Sequence, residues 1–421
     1  MKKLALLLAL ALLVSVLGST ALADEMTVAW WGNQTRNERT QAALDLYAAG
    51  NEGVTFDVQM NAWADYWAAL ATASAGGSLP DVIQMDYQYL SQYVENNLLV
   101  DLKPYVENGT LDISKVNEGI TASGSIGDGL YAICLGVNAP ALLYNKTLLD
   151  GAGITVKDNM TMDEFFALCK EVYEKTGVKT NIGYGTDMVF NYVLRGLGHS
   201  LFTDGQLTAT AEDAEYYFGL YEKGIQEGWH VSSDVFAEVT VGSVEQDPMI
   251  YGSDPANMSW CAFFWSNQMT AMQAAAPEGM EVGITTWPSA DPVKSNYLKP
   301  SQFFSVSAQG KNIDESVKIV NFFLNSVECN NILLGERGIP ASSDVAAAVA
   351  PQMSDLDQKV IAYINDVVSP NCSAVPAAEP TAASEVYAMV DELVEQLCYG
   401  ATTAKDAAAY FMDEAAAIMA R

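Results

Sequence analysis

The sequence predicts an α/β protein of two lobes, and three observations carry that reading. In the N-terminal part, strand-like and helix-like segments alternate as β-α-β-α-β, an order that builds a parallel sheet with helices on its faces. With 421 residues, the chain fits two domains at roughly 100–200 residues each. Half of the residues are apolar and only 17% are charged, so both lobes have core material and the signature of disorder is absent.

The first segment reads as a targeting device. Lys2 and Lys3 lead an apolar run from Leu4 to Leu17, then come Gly18-Ser19-Thr20 and Ala21-Leu22-Ala23. Positive, apolar, then small-x-small is the order of a secretory leader, here residues 1–23 with cleavage after Ala23. The apolar run is shorter than the roughly 20 residues of a spanning helix. The mature protein is therefore expected outside the cytoplasm, in a periplasm or at the cell surface. No Cys stands near the cleavage point, so a lipid anchor is not expected, and no later apolar run suits stable membrane insertion.

The elements follow in order. Met26–Trp31 is β-rich and stops at Gly32. Thr35-x-x-Glu38 is a capping box opening a helix through Leu44 and Tyr47 to Gly50. Val54–Val58 alternates as a strand, and a second helix carries Trp63, Trp67, Leu70 and Ala71 on one face before Gly76-Gly77 ends it. Pro80–Met85 is the third strand. Further on, Leu130–Cys134 and Ala141–Tyr144 read as strands, and Thr161-x-x-Glu164 caps a helix that ends at Gly177. An amphipathic run spans Glu212 to Gln226. Ser301–Ser307 reads as a return strand, and a helix follows through Val317, Val320, Phe323 and Leu324. Asp355 to Arg421 is almost wholly helical, interrupted near Pro370 and from Pro376 to Pro380.

Charge excludes several partners. Against 52 Asp and Glu stand 21 Lys and Arg, a net −31. That balance excludes nucleic acid, whose phosphates need clustered cations, and disfavours an anionic membrane surface. The acidic coat keeps the protein soluble and weighs against a strongly anionic ligand. The six cysteines are far apart, and an exported protein is compatible with either buried thiols or at least one disulfide. Cys169 shares a helical stripe with Phe165, Leu168 and Val172, which reads as a buried thiol. Without CxxC, HExxH, GxSxG or a phosphate-cradling GxxxxGK, and with His199 and His230 as the two histidines, no metal or other cofactor is expected. Solvated or capping roles fit both histidines.

Ligands of open α/β sheets lie beyond the carboxyl ends of strands, so the residues there are the candidate site. They are Trp31 and Asn33 after the first strand, Asp86 and Tyr87 after the third, and Asn138 after the strand near 130–134. Rings beside hydrogen-bonding groups suit a polyhydroxylated guest, whose C–H faces stack while its hydroxyls bond side chains. Trp30 and Trp31 point to opposite faces, and Trp31 lies at the strand end. Asp86 either meets the ligand or caps the helix around Ser91. Trp63 shares the stripe of Trp67 and so serves either core or ligand. Trp265, in Phe263-Phe264-Trp265-Ser266-Asn267, is a stacking candidate, and Arg337 either bonds ligand hydroxyls or holds the lobes through a carboxylate. No catalytic residue is assigned. The many acids leave a paired-carboxylate glycoside hydrolase open, since such a pair is set by space rather than by spacing.

Several stretches together resemble the family 1 extracellular solute-binding proteins of ABC importers, which are maltose-binding-protein-like. They are Ala73–Val82, Asn97–Leu102, Gly129–Ile133, Ala141–Leu149 with Ala152-Gly153-Ile154, Thr161–Phe165, Trp265–Asn267, Phe322–Ser326 and Gly338–Pro340. The resemblance implies a two-lobed periplasmic-binding-protein type II fold, each lobe a mostly parallel sheet flanked by helices. Lobe 1 would be 24–135 plus 300–343 and lobe 2 136–299 plus 344–421, with hinge crossings near 134–138, 298–302 and 342–348. A neutral mono- or oligosaccharide would be trapped by hinge closure and handed, unaltered, to the permease subunits of an ABC transporter by a monomeric receptor. Contacts would come from Trp31, Asn33, Asp86, Tyr87, Asn138 and the aromatic near Trp265. The rivals are a secreted glycoside hydrolase and a receptor of the same build for a peptide or a polyamine, the latter suiting the acidic charge.

Overall fold

A computed structural model describes residues 24–420 apart from 33, 183–185, 204, 237–243, 245, 377–379 and 381. The expected leader at 1–23 and the site residue Asn33 lie outside the described residues. The chain divides into two compact units. Unit 1 holds the residues up to Lys115, Gly124–Leu135 and Gln302–Arg337, and unit 2 holds Val116–Ser123, Gly136–Ser301 and Gly338–Arg421.

Unit 1 begins with strand β1 (Asp24–Trp31), helix α1 (Gln34–Gly50), strand β2 (Val54–Asn61), helix α2 (Trp63–Ala75), strand β3 (Val82–Met85) and helix α3 (Tyr87–Glu95). β1 pairs in parallel with β2 from Asp24↔Val54 to Trp31↔Asn61, and with β3 at Val28↔Val82 and Ala29↔Ile83. Parallel neighbours need a crossover, and α1 and α2 supply it, as the β-α-β-α-β alternation predicts. Val28, Ala29 and Trp30 are fully buried, as are all four residues of β3, which suits the centre of a sheet covered on both faces. Asp81, at the entry to β3, is a structural staple. Its carboxylate accepts from the Thr27 backbone at 2.7 Å and hydroxyl at 2.6 Å, and from the Lys311 backbone at 2.7 Å.

The later strands are β4 (Ile133–Asn138), β5 (Pro140–Asn145), β6 (Cys261–Trp265), β7 (Val282–Thr285), β8 (Lys299–Val306) and β9 (Ile339–Pro340). Within unit 1, β8 runs antiparallel to β3 at Phe303↔Met85 through Val306↔Val82. β4 starts three residues later than its pattern suggests. Gly129–Leu130 instead pairs with Ser125–Ile126 in a small hairpin, whose turn holds Gly127 at φ 58, a conformation that glycine enters without steric cost.

The three-stranded sheet of unit 2 is β6-β5-β7, and both its pairings are antiparallel, Trp265↔Pro140 and Thr285↔Leu142 among them. Parallel contacts in that unit, among the described residues, are isolated bridges such as Thr180↔His230. The parallel alternation expected for each lobe thus belongs to unit 1. In unit 2 both neighbours of β5 return against it after intervening helical segments. Helix α4 (Met162–Thr176) opens with the predicted capping box between Thr161 and Glu164 and ends at Gly177, φ 73. Its buried face is Met162, Phe165, Leu168, Cys169 and Val172. Helices α5 (Thr186–Leu197) and α6 (Ala211–Glu227) pack with the C-terminal pair α7 (Ala383–Cys398) and α8 (Ala404–Met419) around Phe190, Tyr217, Val390 and Phe411. All six cysteines are free thiols, five of them buried and Cys372 half-buried.

Candidate functional site

In unit 1, the end of β1 splits its two tryptophans as the pleat requires. Trp30 is buried and donates from Nε1 to Asn37 Oδ1 at 2.9 Å, while Trp31 is half-buried. The Trp31 ring meets Tyr66 edge-on at 5.3 Å and Trp67 at 5.5 Å, and Trp67 is stacked on Tyr89 at 3.8 Å. The Tyr66 hydroxyl donates to Gln84 O at 2.6 Å, tying this ring to β3. Behind Trp67, a cavity of about 520 Å³ opens between α2 and α3, lined by Trp67, Ser74, Tyr89, Gln92, Tyr93 and Asn96. Burial, and then Tyr89, push the Tyr93 phenol up to about 12. Asp86 and Tyr87 are both half-buried, at the turn from β3 into α3. α2 begins at Trp63, so this residue stands at the helix N-terminus.

Arg337 is an interior cation of unit 1, 2% exposed. It donates to Gln84 Oε1 at 2.6 Å, Gln302 Oε1 at 2.7 Å and Thr40 Oγ1 at 2.7 Å, and its guanidinium lies over Phe304. Burial, and then Arg36, draw its pKa down to about 9. These three partners are neutral side chains of its own unit, whereas the sequence left Arg337 either to ligand hydroxyls or to a carboxylate between the lobes. The same network steadies the end of β1: Arg36 donates to Trp31 O at 3.1 Å and is itself held by Glu336 at 2.8 Å.

In unit 2, Asn138 is 9% exposed, and its Oδ1 is buried with no hydrogen-bond partner among the described residues. The next residue, Ala139, bonds Ser266 through its N–H at 3.1 Å, which fixes the end of β4 beside the end of β6. There Trp265 is half-buried, with Tyr297 edge-on at 6.1 Å and Trp287 at 6.0 Å. Lys299 Nζ lies 4.2 Å from the Trp265 ring centroid, and Arg195 lies 5.2 Å from that of Tyr297. The packing of Tyr66, Tyr89, Tyr297, Arg195 and Lys299 in these ring clusters was not legible from the sequence. Their neighbours come from other elements, so no local spacing marks them.

The histidines serve structure. His199 is exposed and holds Asp213 at 2.6 Å. His230 is buried, contrary to the solvated or capping role expected, and accepts from Ile182 N through Nε2 at 3.1 Å. Burial lowers its pKa to about 4, so the ring is neutral.

Residues 42–358, more than half of the chain, match the family described as bacterial extracellular solute-binding protein. Among solved structures, the chain is similar to a family 1 extracellular solute-binding protein from Alicyclobacillus acidocaldarius, at 24% identity and a TM-score of 0.85 over 94% of this chain and 98% of that one. It is similar to a periplasmic oligogalacturonide-binding protein from Yersinia enterocolitica, at 19% identity and a TM-score of 0.76 over 94% and 99%. It is also similar to the GacH receptor of Streptomyces glaucescens, solved unliganded and with acarbose, at 18% identity and a TM-score of 0.68 over 94% and 98%. These likenesses extend the two-unit α/β fold over nearly the whole chain. The protein belongs to the bacterial extracellular solute-binding family.

Proposed function

We propose that the protein is the exported substrate-binding component of an ABC importer, with residues 1–23 as its leader, and that its guest is a carbohydrate. One observation carries the reading. Each unit ends a strand in a half-buried tryptophan with further rings packed edge-on against it, Trp31 with Tyr66 and Trp265 with Tyr297. Edge-on neighbours hold a ring in place for stacking against the C–H face of a sugar. Asp86, Tyr87, Asn33 and Asn138 are the proposed polar contacts, and Arg337 acts through Gln84 as a positioning residue. The sugars bound by similar proteins, oligogalacturonide and acarbose, agree with this class.

The chain changes unit five times, and besides the short excursion Val116–Ser123 it does so at Leu135–Gly136, Ser301–Gln302 and Arg337–Gly338. These last three passages are the proposed hinge for the closure that the family resemblance implies. The guest leaves unaltered for the permease. Isothermal titration with mono- and oligosaccharides, followed by chromatography of the recovered sugar, tests both halves of the proposal. Binding with an intact product is expected. Silence across the panel would remove the carbohydrate reading, and cleavage would install the hydrolase instead.

A further inference from the structure

Two cations flank the ring pair of unit 2. Lys299 lies 4.2 Å from the Trp265 ring centroid and Arg195 lies 5.2 Å from that of Tyr297, with the two rings edge-on to each other at 6.1 Å. Arg195 is half-buried. One of its terminal nitrogens donates to Ser373 Oγ at 2.5 Å and to Ala374 O at 2.6 Å, both neutral. Its Nε is buried with no hydrogen-bond partner among the described residues. No carboxylate of the described residues pairs with it, in a chain with 52 acids. Withdrawing a guanidinium from water without a counter-charge is costly, and a planar carboxylate is the group its fork fits.

Lys299 adds a second argument. A sugar stacking on the ring face that Lys299 covers displaces the ammonium and forfeits a cation–π contact worth about 0.5–2 kcal/mol. A neutral sugar offers the displaced ammonium only hydroxyl oxygens in return, whereas a carboxylate offers a charge-assisted hydrogen bond roughly twice as strong. The chain's overall negative charge does not decide the matter. At physiological salt the Debye length is about 8 Å, so distant surface acids are screened while groups in contact are not.

From these contacts we infer that the guest is an acidic saccharide, a uronate whose carboxylate is received by Arg195 and Lys299 while its ring meets Trp265. The inference rests on the carbohydrate reading and reverses the neutral guest expected from sequence.

The test is calorimetric titration of the mature protein with mono- and digalacturonate and mono- and diglucuronate, each beside its methyl ester, together with neutral galactose and glucose disaccharides. The ester keeps the ring and removes the charge. An acid form binding at least on the order of tenfold tighter than its ester is expected, as for a charge-assisted hydrogen bond. In Arg195→Gln and Lys299→Gln the ratio of acid to ester affinity should fall towards one. The comparison of acid and ester on the unaltered protein stands even if a variant fails to fold. Esters or neutral sugars binding as tightly as the acids would overturn the inference and leave the carbohydrate reading intact. Silence from acids, esters and neutral sugars alike would remove both.

Discussion

Replacing Arg337 by Met is the most direct test of how unit 1 is held together. The guanidinium is buried against Gln84, Gln302 and Thr40, with three donor–acceptor distances of 2.6, 2.7 and 2.7 Å. Two effects oppose each other. Met removes a buried charge, whose cost is visible in a pKa drawn down to about 9 by burial, and refills much of the volume. It also leaves two amide oxygens and a hydroxyl without their donor in a site closed to water, at about 1–3 kcal/mol each. The second effect wins, because three partners are orphaned and one charge is relieved, and a net loss of about 3 kcal/mol is expected. Guanidinium chloride unfolding followed by tryptophan fluorescence at pH 7 measures it as a lower midpoint at unchanged slope. Adding Gln84→Met and Gln302→Met to the same chain should recover most of the loss, since the orphaned oxygens leave with their side chains. A single variant as stable as the parent, or a triple variant with no recovery, would refute this account of the network.

Other expectations follow from single residues. Trp31→Ala should weaken sugar binding by on the order of 1–3 kcal/mol in titration calorimetry with folding intact, and unchanged affinity would remove Trp31 from the site. His230 has a folded pKa of about 4 against 6.5 in the unfolded chain. Between those values the unfolded chain takes up a proton that the fold refuses, so stability should fall by up to about 3 kcal/mol as pH drops from 6.5 to 4. Asp247 has the opposite sign, its carboxyl raised by burial from 3.8 to about 7. Its contribution is present at acid pH and lost as pH rises towards 7, so Asp247→Asn should gain stability relative to the parent over that rise, read by thermal melts at pH 4.5 and 8. Thr161→Ala removes one half of the α4 capping box and should cost about 1 kcal/mol in denaturant unfolding. Thiol titration of the folded protein should label half-buried Cys372 well before the five buried cysteines, which react on unfolding.

What the sequence determined by itself was local or periodic. The β-α-β-α-β alternation of unit 1, the capping box at Thr161 and Glu164, the buried stripe of α4 and the helical C-terminus all follow from spacing along one element, where a residue's neighbours are its own sequence neighbours. The split between Trp30 and Trp31 was legible for the same reason. Tertiary structure alone decided the rest. Arg337 is fixed by oxygens from positions 40, 84 and 302, and Trp265 by rings and a cation from 287, 297 and 299, so their roles depend on which distant segments the fold brings into contact. The antiparallel sheet of unit 2 belongs here as well, because strand direction is set by how the intervening helices return the chain, and a strand's own residues do not encode it.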